Sequence, residues 1–99
     1  MVKEMQILVF GSGNMAKEYI KVISLYEYKI VVISNSNSNF DYFKSNYNNI
    51  STYLKSETEL INQINFSEFS FAINCVSIES LFETTKIILQ LGIKKILLE

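Results

Sequence analysis

The chain has 99 residues, 48% hydrophobic and 19% charged, which fits one globular domain and leaves no room for a second. Nine lysines against ten acids leave a formal charge of -1, without the basic excess that a nucleic-acid binder carries. Arginine and histidine are both absent. A guanidinium fork for phosphate, imidazole general-base chemistry, Ser-His-Asp or Cys-His nucleophiles and most zinc sites are therefore excluded from the chain acting alone.

Short β-branched apolar runs alternate with longer helical periods, the pattern of βαβ units and a parallel sheet. Gln6 to Phe10 reads as a first strand buried on both faces. Gly11-Ser12-Gly13 then leads into a helix from Asn14 to about Tyr26, with Ala16, Ile20 and Ile23 on one face. Lys29 to Ser34 is a second buried strand, and the polar run from Ser34 to Asn39 reads as a loop before a short helix around Phe40 to Tyr47. Ile50 to Leu54 has the character of an edge strand. Ser56-Glu57-Thr58-Glu59 fits a capping box that opens a helix carrying Leu60, Ile61 and Ile64. Phe69 to Val76 is the fourth strand. Ile78 to Leu91 is the last long helix, capped by Ser77 and stopped by Gly92, and Lys95 to Leu98 is the fifth strand. The expected fold is α/β: a doubly wound, mainly parallel sheet in the order 3-2-1-4-5 between two helical layers. Its ligand crevice is expected at the C-terminal ends of the first and fourth strands.

Chemistry is concentrated in Gly11-Ser12-Gly13-Asn14-Met15-Ala16, a G-x-G-x-x-A that follows a strand and opens a helix. Gly11 permits the tight turn, Gly13 lets a diphosphate approach the backbone, and Ala16 allows close packing of helix on sheet. The amides of the helix's first turn, at the positive end of its dipole, are the donors. The competing reading is a glycine-permitted turn with nothing bound. Such a site usually has an acid at the end of the second strand to hold the adenosine ribose. Here Ser34-Asn35-Ser36 stand in that place. Without the carboxylate a 2′-phosphate meets no repulsion, and serine and asparagine can donate hydrogen bonds to it, which favours NADP over NAD. The same run is also compatible with a solvated loop that touches nothing.

Together with Ile30-Val31-Val32-Ile33-Ser34-Asn35, Phe71-Ala72-Ile73-Asn74-Cys75-Val76 and Gly92-Ile93-Lys94-Lys95-Ile96-Leu97-Leu98-Glu99, this turn resembles the N-terminal Rossmann domain of the Gfo/Idh/MocA oxidoreductases. The resemblance spans nearly the whole chain. It implies an NAD(P) cofactor and a parent enzyme acting on a sugar or sugar-derived substrate. By position, Gly11, Ser12, Gly13, Asn14 and Met15 would line the pyrophosphate, and Ser34, Asn35 and Ser36 the adenosine ribose. Val76 and Ser77 would pass near the nicotinamide ribose, and Glu99 would match the Glu of the family's Glu-Lys-Pro. Val76-Ser77-Ile78 departs from the Thr-Pro-Asn often found there. The family's catalytic lysine would follow Glu99, and its substrate domain would lie further on, so residues 1–99 are expected to be a single, truncated cofactor domain with no catalytic residue of its own.

Other residues have plainer readings. Cys75, within an apolar run, is expected to be a buried, inert thiol, and as a lone cysteine it cannot close an internal disulfide. Phe40, Tyr42, Phe43 and Tyr47 are spaced for core packing, with stacking on adenine as the rarer use. Glu57, Glu59, Glu79 and Glu83 read as acids of helix N-terminal turns. With no signal peptide and no run near the roughly 18 residues of a membrane helix, the expected setting is cytoplasmic, with no membrane, nucleic-acid or metal partner. Self-association through an exposed sheet edge, giving a homo-oligomer, is a further expectation. The competing function is a Rossmann-like module that binds a sugar nucleotide or no ligand and serves in regulation or assembly.

Overall fold

The computed structural model describes residues 6–26, 28–54, 69–76, 78–90, 92–93 and 95–98. The expected capping box at Ser56 to Glu59, the helix it would open, Ser77 and Glu99 lie outside the described residues. Five strands, β1 (Gln6–Phe10), β2 (Lys29–Ser34), β3 (Ile50–Leu54), β4 (Phe69–Asn74) and β5 (Ile96–Leu98), form one sheet in the order β3-β2-β1-β4-β5. Every pairing is parallel. The helices among the described residues are α1 (Asn14–Ile23), α2 (Phe40–Asn46) and α3 (Ile78–Gln90). This is the expected Rossmann-like α/β fold and strand order.

Alternation along the strands decides which helix covers which face. Ile7 and Val9 of β1, with Ile30 and Val32 of β2, point to one side, where Ala16 and Ile20 of α1 and Phe40 and Phe43 of α2 close over them. Leu8, Phe10, Val31 and Ile33 point to the other side and meet Ile88 of α3 and Ile93. The central strands β1 and β2 are thus apolar on both faces, and each fully buried side chain among them contributes about 1.5–3 kcal/mol. At the β3 edge every residue is half-buried, as its predicted edge position implies.

β5 starts at Ile96, one residue later than expected, and two other element ends differ from the sequence expectation by more. α1 stops at Ile23, short of Tyr26, in tight turns from the Leu25 amide to the Val22 carbonyl and from the Tyr26 amide to the Ile23 carbonyl. Beyond Ile23 the inward stripe has ended, and Leu25 is 81% exposed. β4 ends at Asn74 rather than Val76. Its last ladder bond runs from the Cys75 amide to the Phe10 carbonyl, 2.8 Å, after which the chain leaves the sheet. The fully buried Asn74 side chain then takes over: its Nδ2 donates to Thr85 Oγ1 at 3.0 Å and to the Leu81 carbonyl at 3.4 Å, tying α3 to the end of β4. Gly92, at φ 86, follows α3 in the left-handed conformation expected of a C′ glycine.

The seven-residue α2 is too short to persist alone and depends on its two buried aromatics, Phe40 and Phe43. The four aromatics of this segment therefore pack in the protein, and none lines the cavity described below. Lys17 Nζ lies 4.1 Å above the Tyr42 ring and links α1 to α2. Replacing Phe43 with Ala is expected to lower unfolding free energy by about 3–5 kcal/mol, measured by urea denaturation.

Candidate functional site

The β1–α1 turn is built by a close approach of main chains. Gly11 has φ +103, and a Cβ there would lie 2.7 Å from the Cys75 carbonyl oxygen, so only glycine fits. Its amide donates to the Ile33 carbonyl at 2.8 Å. Gly13 is different. It has φ -77 and ψ -166, a conformation open to any residue, and a Cβ there would have nothing within 4 Å. Nothing in the described structure requires glycine at 13.

Gly13 is also the N-cap of α1, and it offers no side chain to cap the helix. The first helical bond runs from the Lys17 amide to the Gly13 carbonyl, 3.0 Å. The amides of Asn14, Met15 and Ala16 therefore have no intrahelical acceptor. No acid stands in the first turn of α1 to neutralise its positive end. An uncapped helix start with a bare glycine before it is suited to receiving an anion.

A cavity of about 230 Å3 opens beside this turn. From the turn itself come Gly11, Ser12 and Gly13; from the end of β2, Ser34, Asn35 and Ser36; from beyond β4, Cys75 and Val76. Seven of the residues singled out from sequence thus converge. The crevice is wider than the expected ends of β1 and β4, since β2 supplies one side of it. Asn14 and Met15 are exposed in the first turn of α1 and lie outside the lining, so any role of theirs falls to their amides. Cys75 sits one residue past β4 and is only half-buried, at the cavity rather than inside a strand.

The serines form a connected set. The Ser12 hydroxyl, 2% exposed, donates to Ser34 Oγ at 2.9 Å and, at 3.3 Å, to the Ser36 carbonyl. The Ser36 amide donates to Ser34 Oγ at 3.4 Å, and the Ser36 hydroxyl donates to Ser38 Oγ at 3.1 Å. Asn39 locks this set to the glycine turn. It is left-handed, at φ 63, and although it is the N-cap of α2 its side chain does not cap that helix. Its Nδ2 instead donates to the Ser12 carbonyl at 2.7 Å.

Sequence reasoning passed over Asn39, Ser38, Ser80 and Thr84, the last three of which line the cavity. For Asn39 the available signal was an asparagine, a residue that tolerates the left-handed region, directly before a predicted helix. For Ser80 and Thr84 it was two hydroxyls one helical turn apart, close after the fourth strand. No Asp, Glu, Lys or Arg lines the cavity among the described residues. A bound anion there would rest on amides, hydroxyls and the helix dipole. Among the described residues no cluster of His, Cys, Asp or Glu could hold a metal ion, and no helix is long and apolar enough to cross a membrane.

Compared with models of known protein families, with curated proteins and with solved structures, the chain matches none. Function must therefore be argued from the cavity itself.

The two glycines are expected to respond unequally to the same substitution. Gly11→Ala adds a Cβ against the Cys75 carbonyl in a left-handed conformation and should destabilise by well over about 1 kcal/mol. Gly13→Ala should leave thermal stability within about 0.5 kcal/mol of the parent. Parallel melting curves of the two variants check this.

Proposed function

We propose that the chain is a nicotinamide-dinucleotide-binding domain of an oxidoreductase resembling the Gfo/Idh/MocA enzymes, whose parent enzyme acts on a sugar or sugar-derived substrate. The observation that carries the reading is Gly13. The fold does not need a glycine there, yet one stands at an uncapped helix start beside a cavity, where a Cβ would take the space of an approaching diphosphate. Gly11 has a structural reason to be glycine and gives no such support.

In this reading the amides of Gly13, Asn14 and Met15 hold the diphosphate, and Ser34, Asn35 and Ser36 face the adenosine ribose. Val76 stands on the nicotinamide side. The lining residues of the β2 end include no carboxylate, which supports NADP over NAD. When bound, the nicotinamide would supply hydride chemistry. The chain's own part is to bind and orient, because no His, Asp, Glu, Lys or Tyr lines the cavity among the described residues. A sugar nucleotide would present the same diphosphate and is the natural comparison ligand.

Stabilisation by ligand tests the reading. NADPH at a hundredfold excess over its dissociation constant adds about 2.7 kcal/mol and should raise the melting temperature by several degrees. NADH should do so less, and UDP-sugars, which share only the diphosphate and a ribose, less still. Gly13→Val should abolish the rise while the unliganded protein melts nearly as before. No rise with either nicotinamide dinucleotide, or an undiminished rise in the variant, would overturn the assignment.

The β5 edge supports a second property, self-association. β5 pairs only with β4 among the described residues, and Leu97 on it is 36% exposed. Light scattering at rising concentration should show dimers or larger species, whereas a constant monomer mass would remove this expectation.

A further inference from the structure

We infer that Thr84 of α3 is a binding residue of the same cavity, contacting an uncharged nucleoside portion of the ligand rather than its phosphates. The inference rests on the dinucleotide reading above. Thr84 is 1% exposed and lines the cavity. Its neighbour Thr85 is bonded at once to the Leu81 carbonyl, 2.7 Å, and to Asn74 Nδ2, 3.0 Å. The Thr84 hydroxyl makes no hydrogen bond with any described residue. No fully enclosed side-chain oxygen or nitrogen among the described residues lacks a partner. The Thr84 hydroxyl must therefore open to the cavity, as a nearly buried polar group with an unmet hydrogen-bond capacity. Buried hydroxyls are seldom left in that state, and a ligand group is the partner this position lacks.

Charge decides what kind of group it is. Thr84 is the seventh residue of α3, beyond the turn over which the helix dipole acts, and no cationic side chain lines the cavity among the described residues. A phosphate pressed against Thr84 would be an uncompensated charge in a partly apolar pocket flanked by Phe10, Ile33 and Val76. A hydroxyl, which both donates and accepts, is instead matched by a ribose hydroxyl or the edge of a base. The diphosphate then belongs at the start of α1, and the nucleoside reaches across the cavity to α3.

The test compares Thr84→Val and Thr84→Ser with the parent by calorimetric titration with NADPH and with inorganic pyrophosphate. Valine keeps the shape and closely similar helix propensity but removes the hydroxyl. Thr84→Val should weaken NADPH binding about tenfold, Thr84→Ser should stay within a few-fold of the parent, and pyrophosphate affinity should not change. The unliganded Thr84→Val protein should melt no lower than the parent, since it loses an unpaired polar group. A lower melting temperature would mean that the hydroxyl has a partner within the fold, and would overturn the inference. So would unchanged NADPH affinity in Thr84→Val, or equal weakening of pyrophosphate. If the parent protein binds NADPH and only the Thr84 variants disagree, the inference alone falls; if the parent binds none, the dinucleotide reading falls with it.

Discussion

The approach of the Gly11 main chain to the Cys75 carbonyl is the constraint on which the rest of the molecule depends. At this level the Gly11 amide bonds to β2 through Ile33, and the Cys75 amide bonds to β1 through Phe10, both at 2.8 Å. Three adjacent strands are tied together where β1 ends. A side chain at 11 would need the space taken by the Cys75 carbonyl, so β1 and β4 could not stay in register up to this point. The same bend sets the start of α1, and hence where its unbonded amides face. Sheet closure and the uncapped start of α1 follow from one turn of backbone.

Burial and hydrogen bonding do different work around that turn. The two apolar layers, one under α1 and α2 and one under α3, supply most of the stabilisation, since each large side chain removed from water contributes about 1.5–3 kcal/mol. The polar links among Ser12, Ser34, Ser36 and Asn39 are each worth only about 0.5–1.5 kcal/mol net. Their effect is positional. Asn39 holds a left-handed backbone, which is unfavourable for a residue with a Cβ, and gives up capping α2 to grip the Ser12 carbonyl. A side chain used in this way fixes the glycine turn against the loop after β2, so the two sides of the cavity keep their spacing.

The cavity is neutral, and that governs what it suits. Without a charged side chain in its described lining, it offers directional donors and a dipole rather than a counter-ion. Such a lining favours a ligand whose charge sits at one end, over the start of α1, and whose remainder is uncharged and able to hydrogen bond. The single thiol of the lining, Cys75, contributes through its main chain, whose carbonyl and amide shape the turn at Gly11.

How much of this was legible in the sequence follows from the range of the forces involved. The strands β1, β2 and β3, the short helix α2 and the stop at Gly92 were legible because apolar periodicity and turn chemistry are local properties, and the order of the sheet because successive βαβ units follow a general topological rule. The glycine turn was legible because a strand, two spaced glycines and a helix form a continuous stretch of chain. The ends of α1 and β4 were not, because they depend on where the core stops covering Ile23 and where Asn74 finds the Leu81 carbonyl and the Thr85 hydroxyl on α3. The turn pattern gave Gly11 the tight bend and Gly13 the open approach, but it could not name the obstacle: only the folded chain brings the Cys75 carbonyl against Gly11 and leaves open space at Gly13. The sequence by itself determined an α/β sheet with an anion-ready turn. Tertiary structure alone decided that residues 39, 80 and 84 face that turn, because hydrogen bonds and contacts between distant segments are set by three-dimensional distance, which local pattern does not encode.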